Sequence, residues 1–380
     1  AIMLFTILFG IANGFQNTFN NEFAGDANNS IFIYSGRTSK AVEGYQTGRR
    51  IQFDNPLYST IKKEFSDDIE FITGRVYKNV TASFGNEKSS YSVRAVNPDH
   101  QFIEKSEIKE GRFINPLDIK NNTKNIVIGN LVVEDLFGGI DPIGKYLDLN
   151  KIKFKIVGVF VERTEGSDSN EARVIYMPIS TAQKIYGNND YIDQINLTYN
   201  QNLSEEEAVA FGNKIVDKIK DVFSVAENDQ SAVRARNRAR ENQEITQFNG
   251  VLAILVLIIG MGTLVAGVVG ISNIMIFIVK ERTKEIGIRK ALGAPPSSIK
   301  LIIVLESVFV TAISGYIGLV LGGLVLNSFD LEDYWITDPG VSTSLVIGAT
   351  FTLILAGLIA AYIPANRAAS IKPIEALRDE

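Results

Sequence analysis

The chain is predicted to be a membrane protein, with four transmembrane α-helices and a large extracytoplasmic α+β domain inserted between the first and second. Three observations predict this. Residues 251–279 and 301–326 are long apolar runs, each exceeding the ~20 residues a helix needs to cross a bilayer. The 280–300 linker between them holds six basic residues (Lys280, Arg282, Lys284, Arg289, Lys290 and Lys300), whereas 327–344 holds none and four acids. A basic excess in short loops marks the cytoplasmic face. Residues from about 20 to 240, by contrast, have the composition of a soluble domain.

Taken in order, residues 1–15 are read as the outer part of a first transmembrane helix that begins before Ala1, because the apolar run is short and no basic segment precedes it. Residues 16–227 form the extracytoplasmic domain. A strand is predicted at 31–34 and an amphipathic helix at 56–65, where Leu57, Ile61 and Phe65 recur every four residues. Strands at 69–84 and 91–96 flank a turn at Gly85-Asn86. A second block has a strand at 125–129, a helix at 130–137, paired strands at 146–149 and 153–160, a strand at 174–178 and a helix at 180–186. A strand at 194–199, a helix at 205–222 and a last strand at 223–225 complete it. Residues 228–250, rich in arginine and free of Pro and Gly apart from Gly250, read as a polar stalk helix leading into the second span.

That span, 251–279, would measure roughly 43 Å at 1.5 Å per residue. Gly262, Ala266 and Gly270 recur at every fourth residue within it, as do Gly318 and Gly322 in the third span. Small residues at this spacing let helices approach closely in lipid, within one subunit or between two. The third span is 301–326, the outer loop 327–344, the fourth span 345–363, and a cytoplasmic tail 364–380 follows. Glu306 lies near the cytoplasmic interface, where its side chain can reach water.

The 280–300 segment has its own chemistry. Glu285 and Arg289 stand at i,i+4 in the favourable order, Lys290 lies where a helix C-terminus favours cations, and Gly293 with Pro295-Pro296 forms a stop. Gly287 costs roughly 1 kcal/mol against Ala inside a helix, which suggests close approach of another backbone. The run Glu281, Arg282, Thr283, Lys284, Glu285, Ile286, Gly287, Ile288, Arg289, Lys290, Ala291, Leu292, Gly293, Ala294 resembles the signature cytoplasmic segment of the MacB/FtsX-type ABC-transporter permeases. The tail from Pro364 to Arg378 resembles the C-terminal signature of the same permeases. More loosely, Gly111-Arg112-Phe113, Leu136-Phe137-Gly138-Gly139 and the residues around Pro142-Ile143-Gly144-Lys145 resemble their extracytoplasmic domain.

The resemblance implies that residues 281–294 are a coupling helix docking on a separate ABC ATPase subunit. It also implies a complex of two permeases, identical or different, with two ATPases in a bacterial cytoplasmic membrane. Such a complex would export a small molecule, peptide or lipid-linked substrate by moving its outer domain, with an extracytoplasmic adaptor or hydrolase as a further partner. Lipoprotein release, or regulation of a cell-wall hydrolase or a sensor, fits the sequence as well.

Composition narrows the chemistry. A net charge of −5 gives no case for nucleic acid, and with no cysteine there is neither disulfide nor thiolate. The one histidine, His100, follows Asn-Pro-Asp and reads as a surface residue. Residues 139–145 match the glycine and lysine spacing of a phosphate-binding loop, but Tyr146 replaces the Ser/Thr that would ligate magnesium and a strand follows. ATP and magnesium are thus expected on the ATPase partner, and no cofactor, metal or catalytic residue is expected in this chain.

Overall fold

A computed structural model describes residues 1–22, 27–161, 172–187, 189–328, 340 and 343–372. The chain divides into two compact units, Asn21–Glu244 and Ala1–Asn20 with Ile245–Glu380.

The first unit is a mixed sheet carrying short helices. Its strands are β1 (Ser30–Ser35), β2 (Phe53–Asp54), β3 (Ile69–Phe84), β4 (Glu87–Val96), β5 (Glu107–Gly111), β6 (Asn125–Gly129), β7 (Tyr146–Leu149), β8 (Ile152–Val161), β9 (Val174–Pro178), β10 (Tyr191–Ile192), β11 (Gln194–Tyr199) and β12 (Val233–Asn237). The main sheet runs β12-β1-β11-β3-β4-β9-β6-β8-β5, and β7 pairs with both β3 and β8. That double pairing closes a hydrogen-bonded circuit through β3, β4, β9, β6, β8 and β7, from Ala82 opposite Leu149 round to Tyr146 opposite Lys155. Alternation fills its inside. Val80, Ala82, Tyr91, Leu147, Leu149, Phe154 and Ile156 are buried in one core with Ile126 and Ile128, removing edges that would otherwise stay unpaired.

The helices of this unit follow local signals. In α2 (Asn55–Glu64) the Asp54 carboxylate accepts from Leu57 N at 2.8 Å, and Leu57 and Ile61 face the core. After α3 (His100–Ile103), α4 (Pro116–Asn121) starts on a capping box of Asn115 and Asp118. α5 (Asn130–Phe137) and α6 (Ile179–Ile185) follow β6 and β9 directly. α7 (Glu205–Val222) opens on a Ser204–Glu207 capping box and buries Ala208, Phe211, Ile215 and Ile219 at helical spacing.

Two expectations fail here. Residues 223–225 form no strand, because Phe223 ends α7 and Ser224 takes φ 46°. The stalk does not begin at residue 228, because Val233–Asn237 is β12, paired antiparallel to β1 from Ile31–Asn237 to Ser35–Val233. The helix starts at Arg238, capped by Asn237, whose Oδ1 accepts from Ala239 N at 3.0 Å while its Nδ2 donates to Ala208 O at 2.9 Å.

The second unit contains α1 (Ile2–Glu22), most of α8 (Arg238–Glu281), α9 (Thr283–Ala291), α10 (Pro296–Ser328) and α11 (Thr343–Ser370). Among the described residues three helices are long and apolar enough to cross a membrane, α8, α10 and α11, while α1 is a shorter apolar helix. Most of the predicted outer loop, 329–339 and 341–342, lies outside the described residues, as do tail residues 373–380.

The two predicted glycine rows differ. A Cβ on Gly318 would stand 3.3 Å from Met3 N, and one on Gly322 2.9 Å from Thr6 Cβ, so this row packs on α1. A Cβ on Gly262 or Gly270 would meet nothing within 4 Å among the described residues, and Ala266 is exposed, so among the described residues that row has no close packing partner. α10 and α11 approach closely elsewhere: a Cβ on Gly357 would sit 3.0 Å from Val308 Cα, and Ser307 Oγ donates to Gly357 O at 3.1 Å.

Candidate functional site

Between the two spans α8 and α10 the chain makes one short helix, and its sequence shows why it begins and ends there. Thr283 Oγ1 turns back to donate to Lys280 O at 2.7 Å. At the other end Gly293 takes φ +96°, a conformation that side chains disfavour. This lets Gly293 N donate to Lys290 O at 3.1 Å and Ala294 N to Arg289 O at 3.0 Å, the paired bonds of a Schellman stop. Pro296 then occupies the first position of α10, where its missing N–H costs nothing.

The helix has two dissimilar faces. Arg282, Ile286 and Lys290, spaced four apart, turn toward their own chain. Arg282 donates through one guanidinium nitrogen to both Glu306 oxygens of α10, each at 3.1 Å. Ile286 packs in a cluster with Val279, Ile299, Ile303, Ala365 and Ala368. Lys290 Nζ donates to Ala369 O and Ile371 O at the end of α11, both at 2.7 Å. Lys284, Ile288 and Leu292 occupy the opposite stripe. Ile288 is 49% exposed and Leu292 84% exposed, so two apolar side chains one helical turn apart meet solvent. Beside them Arg289 donates to Glu285 at 2.6 Å, which leaves an apolar patch rimmed by charge.

Of the predicted segment, Glu281 closes α8, Thr283 to Ala291 form α9, and Leu292, Gly293 and Ala294 form its stop. Gly287 is buried beside Ile286 in the single chain. The outward patch at Ile288 and Leu292 was included in the segment but not singled out. Helical spacing from Ile286 could have separated the two faces once one of them was known to be inward.

A second constellation escaped sequence reading. His100 is fully buried and is not a surface residue, because α3 lays it against β3, β4 and β9. Its Nε2 lies 3.1 Å from Glu104 Oε2, and its ring packs on Tyr176 with centroids 4.9 Å apart. Glu104 is also paired with Arg75, with Arg94 at 3.4 Å and with the Tyr176 hydroxyl at 3.4 Å. Arg75 donates to the Tyr77 hydroxyl at 2.8 Å. Burial opposes the Glu104 charge, yet Arg75, then His100 and Arg94, outweigh it and hold the carboxyl well below its ordinary range. Burial pushes His100 down; Glu104 pulls it the other way without prevailing, and Arg75 and Arg94 add to the lowering. His100 is therefore neutral and Glu104 charged near neutral pH. No sequence signal connects these residues, which come from β3, β4, β9 and the α3 segment.

The loop at 139–145 is a turn between α5 and β7. Lys145 Nζ sits 5.8 Å from the centroid of the Phe84 ring. No helix follows whose N-terminus could receive a phosphate.

Comparison with known proteins agrees with this architecture. The MacB-like periplasmic core domain family matches residues 1–211, more than half of the chain, and the FtsX-like permease C-terminal family matches residues 252–373. The chain belongs to the MacB/FtsX-type ABC-transporter permeases. A macrolide export ATP-binding/permease protein MacB of Bdellovibrio bacteriovorus is 28% identical over 374 residues, covering 98% of this chain and 57% of that protein. An uncharacterized ABC transporter permease of Methanocaldococcus jannaschii is 31% identical over 280 residues, covering 72% of this chain and 66% of its own. Among solved structures, the periplasmic region of MacB from Actinobacillus actinomycetemcomitans aligns with a TM-score of 0.47 at 17% identity, covering 59% of this chain and 95% of that one. The chain spans about half the length of the curated MacB relatives it matches. This permease is thus a multi-pass membrane protein with a MacB-like extracytoplasmic domain.

Proposed function

We propose that this permease is the transmembrane subunit of an ABC complex whose ATP-binding subunit, a separate chain carrying ATP and magnesium, docks on α9. Two permeases, identical or different, pair with two such subunits in a bacterial cytoplasmic membrane, with α1 as the first of four spans. ATP-driven movement of α9 is passed through the membrane helices to the MacB-like domain, which expels a small molecule, peptide or lipid-linked substrate. An extracytoplasmic adaptor or hydrolase is the remaining partner.

The observation that carries this reading is the outward face of α9. A cytoplasmic loop that only set topology would have no reason to hold Ile288 and Leu292 in water at one-turn spacing, since apolar patches rimmed by charge are characteristic of interfaces. Single buried anchors dominate such contacts. The test is co-purification of the permease with the ATP-binding subunit encoded beside it. Leu292→Glu, at an exposed site, should leave membrane insertion intact and weaken docking by about tenfold or more, equivalent to at least ~1.4 kcal/mol. Undiminished recovery of the complex with both Leu292→Glu and Ile288→Glu would remove this assignment.

A further inference from the structure

Docking alone does not move a membrane helix; the docked element must be tied to it. Ile286 meets Ala365 and Ala368 of α11 through apolar contact, which is non-directional and sets no register. The contact that does set one is at Lys290. Its ammonium donates to Ala369 O and Ile371 O, both at 2.7 Å. The last carbonyls of a helix lack partners within the helix and form the negative end of its dipole. Lys290 supplies a partner to Ala369 in the last turn of α11 and to Ile371 just beyond its last residue, through two charge-assisted bonds of fixed direction. It also lies on the inward stripe with Arg282, whose bond to Glu306 ties α9 to α10 in the same manner. The outward patch, Ile288 and Leu292, is one helical face away.

We infer that Lys290 is a positioning residue that latches α9 to the end of α11, so that displacement of α9 by a docked ATP-binding subunit is carried into the last membrane helix. This rests on the docking reading of α9 and adds the residue through which the movement leaves it.

The test uses the permease–ATPase complex in lipid nanodiscs. The chain has no cysteine of its own, so with a cysteine-free ATPase partner Ser370→Cys places a single probe at the exposed end of α11. Its rate of reaction with a maleimide is measured with and without ATP and vanadate. In the otherwise wild-type complex nucleotide should change this rate. With Lys290→Met, ATPase recovery and turnover should stay within about twofold while the nucleotide-dependent change falls by about fivefold or more, and Lys290→Arg should restore it. A Lys290→Met complex with an undiminished response at Ser370 overturns the latch. Loss of ATPase recovery in Lys290→Met also overturns it, making Lys290 a docking contact. Docking is scored separately: if Leu292→Glu and Ile288→Glu both recover the ATPase undiminished, the reading beneath the latch fails, and the latch fails with it.

Discussion

His100 shows how one side chain can make a domain sensitive to acid. Its ordinary pKa is 6.5 and burial lowers it in the fold, so below pH 6.5 the unfolded chain binds a proton that the folded chain refuses. Stability attributable to His100 is therefore complete above that pH and falls as pH drops through it, by up to about 1.4 kcal/mol per unit. Glu104 acts in the same direction lower down, because its depressed carboxyl adds stability above its ordinary 4.5 that is lost on further acidification. Arg75 and Arg94 are the cations that face the pair, and Tyr77, Tyr176 and Phe113 complete its surroundings. The melting temperature of the full-length protein should drop between about pH 7.5 and about pH 5.5. His100→Gln, neutral throughout, should flatten that slope; an unchanged slope would assign the acid sensitivity to other groups.

Among the elements, the membrane helices separate packing glycines from spacing alone. Gly357 meets the α10 backbone, with Val308 Cα 3.0 Å and Thr311 Cβ 3.3 Å from where its Cβ would stand. Gly357→Leu must push α10 and α11 apart and should destabilise the permease by ~1–3 kcal/mol, visible as a lower unfolding temperature in detergent. Gly262→Leu, with nothing within 4 Å, should leave that temperature unchanged for the single chain. If the two variants lose equal stability, the α10–α11 contact is not the tight one. Other elements show where local signals were readable. Asn115-Pro116-Leu117-Asp118 carries a complete helix-start signal, cap and proline and acid, yet α4 was not predicted because the helix is only six residues long. β12 carried a weak signal: Val233 and Ala235 alternate with Arg234 and Arg236, but Ala and Arg favour helix, and the strand exists because β1 offers an edge with matching register.

For the whole molecule, orientation is the decisive property, and the basic loop asymmetry determines it. Ser89, exposed on β4 of the MacB-like domain, and Ser298, exposed in the first turn of α10, are suitable probes. Single cysteines at these positions, treated with an impermeant thiol reagent in intact cells whose outer barrier is opened, should label at Ser89 and not at Ser298. Labelling at Ser298 alone would invert the molecule and remove α9 from the side where ATP is found.

What the sequence by itself determined is whatever rests on patterns that are local along the chain. Apolar length and loop charge establish the spans and their sense, because the bilayer imposes one thickness and one charge rule on every protein. Caps, alternation and the stop at Gly293 place most strands and helices, including α9, because each depends on a few neighbouring residues. Only the tertiary structure decided which side of each element is used. It turned Gly287 and Lys290 inward and left Ile288 and Leu292 in water, although all four lie in one turn and a half of helix. It buried His100 with charges drawn from three elements, and it packed Gly357 against α10 while leaving Gly262 open. Burial and partner choice depend on residues far apart in the chain, and a pattern read along one segment does not contain them.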